Sequence, residues 1–260
     1  MTRIALEACG LSKHFGGVLA LRDASFIVPE GSLCALIGPN GAGKSTIFNL
    51  VTNFYPASSG EARFFGETLA GCSASRIAAR GLVRTFQAAR VFPGMTALQN
   101  VLAGAWMHQR SSSLAQMLWL TDARREEKAL TRRAERLMDL VGLADFRDAA
   151  ATDLPMGAQK MLEVIRALMA RPRMLLLDEP AAGLNDTETA ELSALLRAVR
   201  DSGVTVMLVE HNMGLVMNIA DQIVVLDAGS VVADGTPTEI RGNQRVIEAY
   251  VGRDEEVAGA

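Results

Sequence analysis

The chain has 260 residues, 49% of them hydrophobic, which is enough for one substantial α/β domain with a packed core. A formal charge of -3 excludes a net positive field that would hold nucleic acid or an anionic membrane non-specifically, so any membrane role must run through a protein partner. Cys9, Cys34 and Cys72 are scattered without metal-ligand spacing, which suits a reducing compartment and argues against a disulfide framework.

Glu7 and Lys13 interrupt any apolar run at the start, so a secretory signal is not expected. Apolar and polar residues then alternate around Ile4, Leu6 and Ala24 to Val28, with Gly16-Gly17 between them, and predict a short antiparallel β meander. The run Leu33–Ile37 reads as a buried strand. Ile47, Leu50 and Val51 follow at helical spacing within residues 43–52, and Pro56 with Ser58-Ser59-Gly60 is expected to close the unit in a turn. Residues 91–109 carry no charge, but Pro93, Gly94, Gln99, Asn100 and His108 disqualify them as a bilayer span.

From about residue 88 to 166 the β signal gives way to helix. Leu130, Ala134, Leu137 and Val141 share one face, opposite Arg124, Glu127, Lys128 and Arg132. The β pattern returns at residues 174–177, 204–209 and 223–226, with a helix from about 187 to 200 between the first two. The helical stretch is therefore an insertion in one domain: residues 1–87 and 167–236 form the core, 88–166 the helical subdomain and 237–260 a C-terminal tail, frayed beyond Asp254.

Directly after the Leu33–Ile37 strand, Gly38-Pro39-Asn40-Gly41-Ala42-Gly43-Lys44-Ser45 fits the phosphate-loop pattern G-x-x-x-x-G-K-[ST] and opens a helix, continuing into Thr46. Glycines let backbone N–H groups turn toward a phosphate, and the helix N-terminus adds positive potential. Lys44 is placed to reach the β and γ phosphates, and Ser45 to ligate Mg²⁺. The strand ending in Asp178-Glu179 puts two carboxylates at a sheet edge, where α/β ligands bind; Asp178 is expected to hold Mg²⁺ through water and Glu179 to polarise the attacking water. Of three histidines, His211 alone follows a clear strand, within reach of a γ-phosphate or the water.

The phosphate loop, Arg84-Thr85-Phe86-Gln87, Leu154-Pro155-Met156-Gly157, Asp178-Glu179-Pro180 and His211, in that order, resemble the motifs of ABC ATPases over nearly the whole chain. The resemblance implies a P-loop NTPase core of α/β class, with an N-terminal antiparallel β subdomain and an inserted helical subdomain. It also implies that Phe15 stacks on adenine and that Gln87 senses Mg²⁺ and the γ-phosphate. Leu154, Pro155, Met156 and Gly157 would form a signature facing the nucleotide of a second ATPase subunit, in a head-to-tail homo- or heterodimer that hydrolyses ATP. Met161, Ile165, Leu168 and Met169 turn this signature helix inward, which would leave its N-terminus near Gly157 as a free anion site. Pro155 and Ala158 depart from the general L-S-G-G-Q pattern; losing one charge-assisted hydrogen bond costs about 1.5–3 kcal/mol, so a weaker but working signature is expected.

Lys13-His14-Phe15-Gly16-Gly17, the run from Asp178 through Asn185, Gly235-Thr236-Pro237 and Glu248-Ala249-Tyr250-Val251-Gly252 resemble LivG-type subunits of branched-chain amino acid importers. This implies a second related ATPase, two transmembrane permeases, a solute-binding protein and a place on the cytoplasmic face of the inner membrane; the net charge predicts no nucleic acid partner. Residues 88–100, with Phe92, Pro93 and Met95 as an apolar lip, resemble the surface that receives a permease helix. Alternative readings are a lipopolysaccharide-export ATPase, a soluble non-transport ABC ATPase and a subunit cemented by nucleotide without hydrolysis.

Overall fold

The computed structural model describes residues 3–85, 91–106 and 121–257. The chain divides into two compact units, one of residues 1–84, 173–181 and 193–260, the other of residues 85–172 and 182–192.

The first unit carries two sheets. β1 (Ile4–Phe15) and β2 (Val18–Pro29), twelve residues each, form a hairpin broken by register shifts, and β4 (Ser59–Phe64) and β5 (Glu67–Thr68) extend it to the order β2-β1-β4-β5. Along β2, Ala24, Phe26 and Val28 are buried while Ser25 and Ile27 face out, the period-two alternation of a half-covered sheet. The expected meander is thus present, but longer. Ser59 and Gly60, predicted to lie in a turn, instead open β4, because β1 offers its free edge: Ser12 pairs with Ser59 and Cys9 with Glu61.

The second sheet has the order β10-β9-β3-β8-β7-β6. Here β3 (Leu33–Ile37), β6 (Leu82–Arg84), β7 (Met174–Asp178), β8 (Thr205–Val209) and β9 (Gln222–Asp227) run parallel, and β10 (Ser230–Gly235) closes one edge antiparallel. Every residue of β3, β7 and β8 is buried, as uninterrupted apolar runs in a parallel sheet require. α1 (Lys44–Val51) follows β3 and turns Ile47, Phe48, Leu50 and Val51 into the shared core. α2 (Ala74–Ala79) precedes β6.

The second unit is helical. α3 (Ala97–Ala103), α4 (Thr121–Leu140) and α5 (Met156–Met169) pack on one another. α4 buries Ala134 and Met138 while Arg124, Glu127, Lys128 and Arg132 face solvent, so the expected polar face is observed and Met138 joins the apolar one. Arg133 ties α4 to α5 by donating to the Leu168 carbonyl at 3.0 Å. The amide of Asn100, fully buried, stitches the preceding loop to α3: its Oδ1 accepts from the Phe92 N–H at 2.7 Å and its Nδ2 donates to the Thr96 carbonyl at 3.1 Å. The loop so held exposes Phe92 and Met95.

α6 (Asp186–Asp201), α7 (Met213–Ile219), α8 (Pro237–Arg241) and α9 (Gln244–Val257) complete the chain. Among the described residues no helix is long and apolar enough to cross a membrane.

Gly104 caps α3 against the α5 backbone, and a Cβ there would collide with the Arg166 carbonyl. Gly104→Ala is therefore expected to force α3 and α5 apart and to cost about 1–3 kcal/mol, read as a lower urea midpoint with unchanged secondary structure by circular dichroism.

Candidate functional site

Three adjacent parallel strands deliver the chemistry to one edge of the second sheet. Val209 of β8 lies level with Leu36 of β3 on one side and with Asp178 of β7 on the other. The residues that follow these partners, Gly38, His211 and Glu179, therefore leave neighbouring strands at their carboxyl ends, where an α/β sheet places its ligands.

The loop after β3 is built around close backbone approach. Gly38 has a φ of 149° and a Cβ there would run into the carbonyl of Leu226, so no side chain is tolerated at this turn. Within the loop the Ala42 N–H donates to the Pro39 carbonyl at 3.1 Å, and the Ala42 carbonyl accepts from Gly229 at 3.1 Å, which pins the loop to the β9–β10 connection. Gly41 and Ser45 are exposed. Lys44 Nζ reaches back across the loop and donates to the carbonyls of Gly38 and Pro39 at 2.7 and 3.0 Å. Burial lowers the pKa of this ammonium, and the negative charges of Glu179 and Asp178 oppose that shift. The loop lysine and the paired acids, separated by more than a hundred residues in sequence, thus interact electrostatically in the fold.

Asp178 ends β7 buried, and Arg84 Nη2 donates to its Oδ2 at 2.9 Å. Glu179 comes next in a left-handed conformation, φ 48°, with its N–H donated to the Val209 carbonyl at 3.0 Å. A non-glycine residue held at positive φ stores strain of about 1–3 kcal/mol, and the strand-end hydrogen bond is what holds it there. The sharp turn re-aims the second carboxylate relative to the first.

Sequence reasoning missed Glu210. Its carboxylate is 1% exposed and accepts three backbone N–H groups: Ala181 at 2.8 Å on one oxygen, His211 at 3.1 Å and Asn212 at 3.3 Å on the other. It locks the segment leaving Glu179 to the segment carrying His211, whose own side chain is exposed. A glutamate beside a histidine reads in sequence as ordinary polar loop; only the fold reveals that its partners are backbone amides. Tyr250 lies in α9. Its hydroxyl is buried, and burial raises its pKa while the Gly38 backbone acts in the opposite direction.

Phe15 lies at the end of β1, 44% exposed, with Tyr55 packed edge-on at 5.1 Å and the Lys13 ammonium 5.1 Å from its ring centre. Tyr55 in turn accepts from Asn49 of α1 at 3.2 Å, so the aromatic is braced from the phosphate-loop helix. Gln87, expected to sense Mg²⁺ and the γ-phosphate, lies outside the described residues, as does Phe86.

Leu154, Pro155, Met156 and Gly157 belong to the helical unit. Pro155 is the N-cap of α5 and provides no side-chain cap, Leu154 is buried and Met156 is 54% exposed. The Gly157 end is not open in the way the sequence suggested. Glu188, at the start of α6, lays its carboxylate against Gly157 so closely that a Cβ there would collide with it. The same carboxylate accepts from the Asn185 N–H at 3.0 Å, while Asn185 Oδ1 accepts from the Glu188 N–H at 3.0 Å, a reciprocal cap of α6. An anion of the chain itself thus neighbours this helix N-terminus, as the dipole favours.

Mg²⁺ fits the donors present. Among the described residues no three His, Cys, Asp or Glu side chains cluster to cage a metal. A hydroxyl at Ser45 and one carboxylate at Asp178 are the sparse oxygen set that Mg²⁺ uses when phosphates and water fill its remaining positions.

Glu210→Ala should expose the role of the missed carboxylate. The buried Ala181 amide would lose its partner, at a cost of about 1–3 kcal/mol, seen as a lower thermal midpoint; Glu210→Gln should recover roughly half.

Residues 21–182 match the family described as ABC transporter, and residues 230–256 match one described as Branched-chain amino acid ATP-binding cassette transporter. Over 253 residues, 97% of this chain and 99% of the relative, the sequence is 45% identical to the high-affinity branched-chain amino acid transport ATP-binding protein BraF of Pseudomonas aeruginosa. It is 38% identical, with the same coverage, to the corresponding protein LivG of Escherichia coli. A crystal structure of an ATP-binding cassette of an ABC transporter in its ADP conformation superposes with a TM-score of 0.82 at 29% identity, covering 96% of this chain and 100% of that one. The family match over residues 21–182, together with similarity to these relatives over nearly the full length, places the chain in the ABC transporter ATPase family, in its branch of branched-chain amino acid transport ATP-binding proteins.

Proposed function

We propose that the chain binds Mg-ATP at the strand edge carrying Lys44, Asp178, Glu179 and His211, and that hydrolysis there energises an importer of branched-chain amino acids. The observation that carries the site assignment is the level pairing of β3, β8 and β7, which brings the Lys44 loop, Asp178-Glu179 and His211 out at one sheet edge. The solute rests on similarity to proteins described as branched-chain amino acid transport ATP-binding proteins. None of the site residues reads an amino acid, so specificity belongs to partner subunits.

In this reading the backbone of residues 38–46 cradles the phosphates, and Lys44 releases the Gly38 and Pro39 carbonyls to meet the β and γ oxygens. Mg²⁺, held by Ser45 and Asp178, would neutralise charge on the phosphates. Glu179 takes the proton of the attacking water, and His211 together with Gln87 orients the γ-phosphate. Phe15 supplies a stacking face for adenine, worth about 1–3 kcal/mol for a base on an aromatic.

Leu154, Pro155, Met156 and Gly157 serve the nucleotide of a second ATPase subunit in a head-to-tail pair, and in that pair Glu188 has to yield space at Gly157 to the incoming phosphate. The pair docks two permeases at the cytoplasmic membrane face, with the loop that Asn100 holds, bearing Phe92 and Met95, as the apolar contact.

Glu179→Gln should lower ATP turnover of the assembled transporter by about 10²–10⁴-fold while leaving ATP affinity intact, measured by phosphate release and by equilibrium binding. Parent-like turnover would instead favour a subunit in which nucleotide only cements the complex. The pH dependence of binding follows from Lys44. The protonated ammonium binds polyphosphate, and burial lowers its pKa. Affinity should therefore begin to fall with rising pH before an ordinary lysine titrates, and nucleotide binding in that range should take up protons. Calorimetry in two buffers of different ionisation enthalpy checks the uptake, and Lys44→Arg should flatten the profile.

A further inference from the structure

Arg84 ends β6, one strand outside β7, and its guanidinium is committed on three sides. Nη2 donates to Asp178 Oδ2 at 2.9 Å, with the two side chains only 15% and 6% exposed. Nη1 donates to Asn49 Oδ1 at 2.7 Å and lies 3.4 Å from Thr52 Oγ1, at the far end of α1. The guanidinium carbon sits 5.5 Å from the ring centre of Phe48, also on α1. The Asn49 amide is itself oriented, because its Nδ2 donates to the Tyr55 hydroxyl at 3.2 Å.

A buried ion pair of this kind adds little net stability over an apolar pair of equal size, since desolvation offsets the attraction. Its consequence is geometric. With Oδ2 engaged, the Asp178 carboxylate cannot spin, and among the described residues its other oxygen accepts no hydrogen bond, so one defined edge is left for a cation or its water. The anchor on the opposite side is α1, whose first residues, Lys44 and Ser45, form the other half of the site. Arg84 therefore fixes the distance between the two halves as well as the angle of one. Lysine, a point charge without a planar fork, reaches only one of these partners at a time.

We propose that Arg84 is a positioning residue for the nucleotide's divalent cation, holding the Asp178 carboxylate at a fixed angle and tying it to the phosphate-loop helix. This rests on Asp178 being the carboxylate that holds the cation. The test uses the full chain and a fluorescent ATP analogue, with binding followed as Mg²⁺ is titrated and again in excess EDTA. Arg84→Met should raise the Mg²⁺ concentration for half-maximal binding by about tenfold or more, the scale of losing a hydrogen-bonded support of a metal ligand, with affinity in EDTA changed by less than about twofold. Arg84→Lys, keeping charge without the fork, and Asn49→Ala, removing the α1 anchor, should each shift it by about threefold.

A purely structural ion pair would lower the thermal midpoint without this Mg²⁺-specific split, and an equal loss with and without Mg²⁺ overturns the proposal. If Arg84→Met does not melt cooperatively, Asn49→Ala decides: a parent-like Mg²⁺ requirement in that variant also overturns it. Asp178→Asn separates the two claims. If it abolishes the Mg²⁺ dependence while Arg84→Met leaves it untouched, the role of Arg84 fails alone; if it too is without effect, the assignment of Asp178 fails and takes the positioning role with it.

Discussion

Parallel pairing of β8 with β3 on one side and β7 on the other is the constraint from which the site follows. Because Leu36, Val209 and Asp178 lie level across these strands, the phosphate loop, the histidine segment and the paired acids emerge together. A slip of one residue would turn the Asp178 side chain to the opposite face and would drive apolar residues out of a core on both sides. The cost of that slip is high, since every residue of the three strands is buried. Apolar packing with no functional atom in it thereby sets the relative positions of charged groups.

Charge then has to be managed where Asp178 and Glu210 are buried and Lys44 and Glu179 are half-buried. Lys44 donates to the Gly38 and Pro39 carbonyls within the field of Asp178 and Glu179, Asp178 is held by Arg84, and Glu210 accepts only backbone amides. Lys44, Asp178 and Glu210 each have a partner, as burial demands, and the partners come from different elements. The electrostatics therefore act as fasteners between β6, β7, α1 and the loops beyond β7 and β8. Strain is stored in the same place: Glu179 takes a left-handed backbone between a buried aspartate and a proline.

Legibility in the sequence followed the range of each interaction. The loop around Lys44 and the Asp178-Glu179 pair could be read because their chemistry is written in consecutive residues beside uninterrupted apolar strands. The helix face of residues 130–141 could be read because its period is local, although Met138 was not singled out. Ser59-Gly60 could not: the pair has turn chemistry, and it becomes strand only because β1 presents an edge to it from nearly fifty residues away. The short strands Leu82–Arg84 and Ser230–Gly235 were also silent, the first because three residues carry no period and the second because its pattern is half polar. The roles of Glu210 and Arg84 were not legible, since nothing adjacent in sequence reveals a buried partner.

What the residues alone determined is the set of motifs and its order along the chain: a glycine-rich loop of the phosphate-loop pattern opening a helix, an acid pair closing a strand, a histidine after another strand and a helical stretch between the β-rich parts. These are properties of local pattern, set by spacing, apolar period and the φ that glycine permits. Tertiary structure decided which of these groups meet and how they are held. It set the Arg84 grip on Asp178, the three amides on Glu210 and the Glu188 carboxylate against Gly157. Those contacts join residues distant in sequence, and contact between distant residues exists only after strand order and register have brought them together.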